Sequence, residues 1–531
     1  MSSFLLCAAG LVIGLVVSPE LVARLLTDDG QLGVINSARI DGLRAAFIST
    51  SMVGIWLTRS VTGHSGLCDN LEAVWKSLQA DQGLFTRLVF LIASVTFGAY
   101  NLSYGATSGL TASGTEYLSV AKGIASGNGF SVPETARWMW FNFEGSQPSH
   151  AWTTFHPTAM AEPIIPYLLS LFIGPDGSKE FVIVVWLQVC AWLFSAVLWR
   201  EIISQLTNAW VGLVAGLILL SWPTAFSLHL NYLSPAPFGA LFVALLAYLG
   251  VRLSQRPNLL LCVLAGLTMG ISSLTLATTM AILPVICLCP LLHKVKSMRS
   301  WIYFGTVGLI AVMVITPWTY RNYQLMDAVI PVRTGLGLIS HQGNPVLAAS
   351  YHANSQACSN TSGKNMWQST GPRDTTTQMV AIERQLQIYE IGFNCIAERA
   401  PPDYETFNEH ERDGFYGGLA RQFMRENPLT FVELAFFKYL RFVEGWHWHH
   451  TLTAGLALIG LVLGYREKSL IILFLMIAAY AGPYALGSPW FYRYRYPVEG
   501  IFFAFAFFGL YTVWLGNVQI LKPLIPKLRR I

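Results

Sequence analysis

LLLCVLAGLTMGISSLTLATTMAILPVICLCPLLHKVKSMR, residues 259–299, carries no charged side chain before His293, and then gathers His293, Lys294, Lys296 and Arg299 within a few positions. A helix needs about 20 mostly apolar residues to cross the hydrocarbon core of a bilayer, somewhat fewer when flanking residues snorkel. The run is therefore read as two closely spaced spans, 259–274 and 277–292, closed by a basic connection. The rest of the chain agrees. Of its 531 residues, 53% are hydrophobic and 12% are charged, and mean hydropathy is +0.47. Soluble domains carry about 25% charged residues, so a soluble fold of this size would have too little charge to cover its surface. An ordinary cytosolic enzyme, a disordered protein and a disulfide-rich miniprotein are excluded. The net charge of +5 is modest, and no basic stripe suggests nucleic acid as a partner.

Further spans centre on 4–25, 43–59, 84–104, 181–199, 209–221, 237–251, 301–319, 451–464, 470–487 and 497–516. The fold class expected is an all-α polytopic membrane protein of about 12 helices. Ser49, Thr50 and Ser51 interrupt the second span. The first lacks a basic leader and reaches Pro19-Glu20 without a clear small-residue cleavage site, so it is kept as a membrane helix. Basic residues in short loops set orientation. Arg252 and Arg256, the 293–299 group, Tyr465-Arg466-Glu467-Lys468, and the tail with Lys522, Lys527, Arg529 and Arg530 all fall on one side when there are twelve spans. These loops and both termini are expected in the cytoplasm, in a multi-pass protein of the cytoplasmic (inner) membrane. Two long segments, 105–180 and 320–450, then lie opposite.

The expected organisation is 1–83 as additional N-terminal helices with a cytoplasmic connection, 84–319 as a transmembrane core including the first long loop, 320–450 as a mixed, mainly helical extracytoplasmic domain, and 451–531 as C-terminal helices with a basic tail. Cys7, Cys190, Cys262, Cys287 and Cys289 lie in apolar runs, where buried thiols are expected. Cys358 and Cys395 share an extracytoplasmic loop, where a disulfide can persist; two free thiols are the alternative.

Residues 113–130, SGTEYLSVAKGIASGNGF, space Tyr117, Ala121, Ile124 and Phe130 at near-helical intervals and stop at Gly127-Asn128-Gly129. A short amphipathic helix on the membrane surface is predicted at 114–126, with Glu116 in its first turn, where the helix dipole favours a carboxylate. A second short helix is predicted near 163–173. The first string resembles the first extracytoplasmic loop of GT-C glycosyltransferases, in particular the branch of the protein O-mannosyltransferases and the lipid A aminoarabinose transferase. Residues 316–345 resemble the family's Pro-Trp-x-x-Arg-Asn span end and Gly-Asn pair at Pro317, Trp318, Arg321, Asn322, Gly343 and Asn344. FYRYRYPVE, 491–499, resembles its approach to the final helix, and 405–440, with Glu405, His410, Asn427-Pro428 and Lys438, resembles the segment leading back to the membrane. The resemblance covers about 84–516 in order. The chain departs from it at Ser113-Gly114-Thr115, which precede a lone acid, at Ser234-Pro235-Ala236, and at Thr275-Leu276-Ala277, where an Arg is often found.

The resemblance implies a GT-C-like bundle that moves a sugar from a polyprenyl phosphate or diphosphate to a hydroxyl or amide. Such chemistry calls for a general base and for cationic or metal stabilisation of the leaving phosphate. Glu116 is the first candidate base; a dipole-favoured helix-start glutamate is the alternative. His156 and Glu162, in TTFHPTAMAEPIIPYLLS, could assist it or hold a divalent cation with it, or could simply cap a loop and start a helix. Tyr117 neighbours the base. Arg321, Arg333, Arg493 and Arg495 are phosphate candidates, with Tyr494 between the last two, although arginines and tyrosines at a span end also serve as interfacial anchors. Asn322, His341 and Asn344 are further substrate candidates. EGWHWHH, 444–450, reads as a membrane-edge belt rather than a metal site through His447, His449 and His450. No ligand set defines a cofactor, and neither Asp-x-Asp nor a nucleotide-binding glycine pattern is present, which fits a lipid-carried donor. The expected partners are membrane lipid, a polyprenyl-phosphate sugar donor and an acceptor. Rival readings are a catalytically degenerate GT-C-like subunit of a membrane assembly, bound to other membrane proteins, and, behind it, a transporter or flippase, disfavoured by the scarcity of mid-span charges.

Overall fold

The computed structural model describes residues 82–105, 115–133, 155–173, 182–222, 234–346, 407–445, 448–488 and 494–521. The spans expected at 4–25 and 43–59, Cys358 and Cys395, Glu405, His447, Arg493 and the basic tail lie outside them. Among the described residues the protein is almost wholly helical. In chain order come α1 (Gln82–Gly105), α2 (Thr115–Ala125), β1 (Ser131–Pro133), β2 (Phe155–Pro157), α3 (Ile164–Ser170), α4 (Val182–Leu206), α5 (Ala209–Leu220), α6 (Ala236–Gln255), α7 (Leu259–Thr275) and a 3₁₀ turn (Ala277–Ile282). There follow α8 (Leu283–His293), α9 (Met298–Met326), α10 (Leu336–His341), a π turn (Gln342–Val346), α11 (Glu409–Glu426), α12 (Pro428–Glu444), α13 (Trp448–Leu463), α14 (Lys468–Gly487), a second 3₁₀ turn (Tyr496–Val498) and α15 (Glu499–Leu521).

Six of these segments are long and apolar enough to cross a membrane: α1, α4, α6, α9, α14, and the second 3₁₀ turn together with α15. Four shorter apolar helices lie among them, α5, α7, α13 and the first 3₁₀ turn with α8. The protein is thus an all-α polytopic membrane protein. Side chains such as Trp192, Trp199, Leu246, Ile472 and Phe505 fill the centre of the bundle. Leu91, Phe194, Leu309 and Val462 face outward, as the lipid-facing surface of a membrane helix requires. Asn208 and Asn258 cap α5 and α7 through their side chains.

A smaller head packs on one end of the bundle. Tyr117, Val120, Phe130, Met160, Ile165 and Leu338 form its core, closed by Val184 and by the partly buried Phe238 and Trp318 from the adjoining ends of α4, α6 and α9. The predicted surface helices are present as α2 and α3. Gly127 and Gly129 adopt positive φ after α2, ending it where the sequence indicated. β1 and β2 pair antiparallel with Val132 opposite His156. The basic connections lie at the other end of the bundle, where Lys468 Nζ donates to Leu292 O at 3.0 Å and joins two of them. Helix α9 runs to Met326, seven residues beyond the expected span end, because the head supplies acceptors for its polar last turns. Thr319 donates to Pro331 O at 2.9 Å, and the Asn322 amide donates to Ile330 O and Val332 O, both at 3.1 Å.

Candidate active site

After β2 the chain turns at 158–162 and re-enters a helix behind Pro163. Proline fixes the backbone there and disfavours a helical residue before it. Glu162 therefore points out of the turn rather than along a helix. Its carboxylate is buried, 2% exposed, and is held from three elements. The Tyr117 hydroxyl on α2 donates to Oε2 at 2.7 Å. Arg333 Nη1 reaches the same oxygen at 3.1 Å as an ion pair. The Ala277 backbone N–H donates to Oε1 at 3.0 Å. Ala277 opens a 3₁₀ turn, and the first N–H groups of a helical turn lack internal acceptors and favour an anion. A buried carboxylate is tolerated when it is both paired and hydrogen-bonded, and both conditions hold here. The Arg333 side chain, 17% exposed, is the accessible member of the cluster. Glu116 lies beside Tyr117 in the first turn of α2; its side chain lies outside the described residues.

A second carboxylate lies beyond the same turn. Glu409, at the start of α11, accepts the Thr158 hydroxyl at 2.6 Å, the Ala159 N–H at 3.2 Å and the Thr334 hydroxyl. Burial pushes its carboxyl above the usual carboxylate range, and those three donors, with Arg333 nearby, pull in the opposite direction. Asp413, one turn on in α11, is likewise raised by burial against the backbone N–H groups of Leu338, Gly335 and Gly337. Gly337 must be glycine, since a Cβ there would fall on Asp413 O.

Arg321 and Asn322 knit the head together. Arg321 donates to Thr158 O at 2.5 Å and to Phe130 O at 2.9 Å, and its guanidinium stacks over the rings of Trp318 and Phe130. His156, on β2, lines a cavity with Glu409 and Arg412. His341 and Asn344 lie apart from Glu162. His341 is buried beside Tyr416. The Asn344 amide donates to Ser340 O and Leu486 O, and its oxygen accepts from Lys438 at 3.1 Å. Lys438 also donates to Gly343 O at 2.9 Å, and burial lowers its ammonium to about 7.

The C-terminal motif divides. Tyr494 stacks on Tyr484 with centroids 4.4 Å apart, and Tyr484 donates to Thr278 Oγ1 at 2.8 Å, next to Ala277. Tyr494 thus approaches the Glu162 cluster through two contacts. Arg495 turns to the joint between α12 and α13. It is 3% exposed, lies over the Phe502 ring, and donates to Glu444 O and His450 O. Nearby, His450 Nε2 meets Glu499 Oε1 at 2.7 Å.

Of the sequence candidates, the fold brings together Glu162, Tyr117 and Arg333, with Glu116 adjacent in the chain. Sequence reading passed over Glu409, Thr334 and the Ala277 N–H. The one signal for Glu409 was the capping box Asn408-x-x-Glu411 that marks the start of α11, and it does not say where a neighbouring carboxylate points. Among the described residues no group of three or more His, Cys, Asp or Glu side chains is arranged to hold a metal ion.

No curated protein and no solved structure matches the chain. Residues 156–320, a stretch that contains the 158–162 turn, Glu162 and Ala277, match the family model of the dolichyl-phosphate-mannose-protein mannosyltransferases, so over that stretch this multi-pass membrane protein is similar to a family of the GT-C superfamily.

Proposed function

We propose that the chain transfers a sugar from a polyprenyl-phosphate-linked donor to an acceptor at the extracytoplasmic face of a cytoplasmic membrane, with inversion at the sugar carbon. The observation that carries this reading is the convergence on Glu162 of Tyr117 from the first loop, Ala277 from the 3₁₀ turn and Arg333 from the segment after α9. A prenyl tail must stay in the bilayer, and this cluster lies where the head meets the span ends. Arg333 is the donor for the leaving phosphate, because a guanidinium fork suits phosphate oxygens and arrives already oriented by Glu162. Glu162 acts through Arg333 and Tyr117 as a positioning residue, its charge being committed to the ion pair with Arg333. Glu116, beside Tyr117 in the chain, is the general base that takes the acceptor proton as the new glycosidic bond forms and the sugar–phosphate bond breaks.

In this reading the basic end of the bundle and both termini face the cytoplasm, 84–319 is the catalytic core, 320–450 completes the head, and 1–83 and 451–531 flank them. A synthetic polyprenyl-phosphate mannose, given to the purified protein with membrane-extracted acceptors, tests it. Glu116→Gln is expected to lower transfer by about 10²–10⁴ while leaving donor binding intact. Equal turnover in both proteins removes Glu116 from the mechanism.

A further inference from the structure

Glu409 lines a cavity of about 200 Å³ on the far side of the 158–162 turn from Glu162, and the reaction proposed above leaves it unused. Its lining divides chemically. Met160, Leu325 and Met326 supply apolar surface, and His156, Glu409 and Arg412 supply polar groups. Arg412 is 5% exposed and anchored by Nε donating to Phe407 O at 3.0 Å. Glu409 is anchored by Thr158, Ala159 and Thr334. A carboxylate offers about four lone-pair sites, so three donors leave it room for one more.

The pairing of charges selects the occupant. An anion entering the cavity would meet Glu409, and a cation would meet Arg412. A neutral polyol meets both well: its hydroxyls donate to the carboxylate and accept from the guanidinium, and its C–H face lies against methionine and leucine. The volume is below the ~300 Å³ at which drug-sized pockets begin, which suits one monosaccharide unit. The cavity is also coupled to the proposed reaction centre. Consecutive residues of one segment reach the two carboxylates, Arg333 to Glu162 and Thr334 to Glu409, and the 158–162 turn does the same from the other side.

We propose that this cavity binds one neutral sugar unit of the acceptor, with hydroxyls on Glu409 and Arg412 and the ring face on Met160, Leu325 and Met326. That the sugar belongs to an acceptor rests on the transferase reading; the binding itself does not.

Saturation-transfer NMR on the full-length protein in detergent, with methyl α-mannopyranoside and inorganic phosphate as separate probes, tests the site. The glycoside is expected to show contacts with the wild type. Leu325→Trp, which fills the cavity from a half-buried position, is expected to weaken binding at least tenfold, as is Arg412→Gln. Arg252→Gln, an exposed substitution at the opposite end of the bundle, is expected to bind like the wild type. Absence of glycoside contacts in the wild type, equal binding after Leu325→Trp, or a stronger response to phosphate than to glycoside overturns the proposal. Glycoside binding lost in Leu325→Trp, in a protein that shows no transfer, leaves the sugar site standing and removes only the transferase reading.

Discussion

The two sides of the 158–162 turn solve one problem in opposite ways. Each buries a glutamate, and each draws donors from the same stretch, Arg333-Thr334. On the Glu162 side the partners are a guanidinium, a phenol and a helical-turn N–H, one of them a full positive charge. On the Glu409 side the direct partners are two hydroxyls and an amide. Without a cation in direct contact, desolvation dominates and the proton is held more tightly. The difference teaches that two carboxylates beside one turn can be given unlike settings, one with a cationic partner and one with neutral donors alone. It also separates roles, since a fixed ion pair suits orienting a phosphate donor, whereas a less strongly charged acceptor suits a neutral polyol.

The sharpest test of this contrast is Arg333→Ala. Removing one partner of a buried pair leaves an uncompensated charge, so a loss of about 3–5 kcal/mol is expected, read as a lowered melting temperature in detergent together with loss of transfer. A change no larger than that of an exposed arginine would erase the contrast. Glu162→Gln is expected to cost about 2–3 kcal/mol, through loss of charge-assisted bonds to Arg333 and Tyr117, measured in the same melts.

Lys438 extends the comparison with the sign reversed, since it is a buried cation bonded to two neutral acceptors. Its folded value of about 7 lies below the unfolded 10.5. Between these values the unfolded chain holds a proton that the folded one has released, so stability rises with pH there. A gain of about 2 kcal/mol between pH 7 and 9 follows from that shift, and Lys438→Met should flatten the profile. The smallest effect is expected at Glu409. Glu409→Gln should change stability by about 1 kcal/mol or less at neutral pH, its bonds being to neutral donors. The wild-type contribution of this group is present below its unfolded value of 4.5 and is lost as pH rises through its raised folded value; the variant should lack that decline. A wild-type profile that instead rises over this interval would show that the hydroxyl and amide donors outweigh burial at Glu409.

Much of the fold was legible because its causes are local. The surface helix expected at 114–126 and found at Thr115–Ala125 follows from apolar spacing and two glycines that end it. The helix expected near 163–173 and found at Ile164–Ser170 follows from Pro163 and the apolar run behind it. The end of α9 was not legible. Thr319, Arg321 and Asn322 look like a polar exit from the membrane, yet they continue the helix because carbonyls from Pro331, Phe130, Thr158 and Val332 receive them. For the candidate site, Tyr117, Glu162 and Arg333 were each candidates on the sequence, and nothing in the chain paired the three. Their separations, 45 residues from Tyr117 and 171 from Arg333, lie beyond any local pattern. Arg495 shows the same limit, since its motif placed it near a phosphate and its packing directs it to Glu444 and His450.

The chain by itself determined that this is a polytopic helical membrane protein, because hydrocarbon thickness and the need to satisfy backbone groups leave an apolar run of that length no other arrangement. It also determined where the head's short helices begin and end, through glycine and proline constraints that act within a few residues. Only the tertiary structure decided which acids are paired with a guanidinium and which with hydroxyls. That choice depends on charges brought within about 3 Å from segments more than a hundred residues apart, and electrostatic energy in a poorly solvated interior depends on those distances rather than on sequence order.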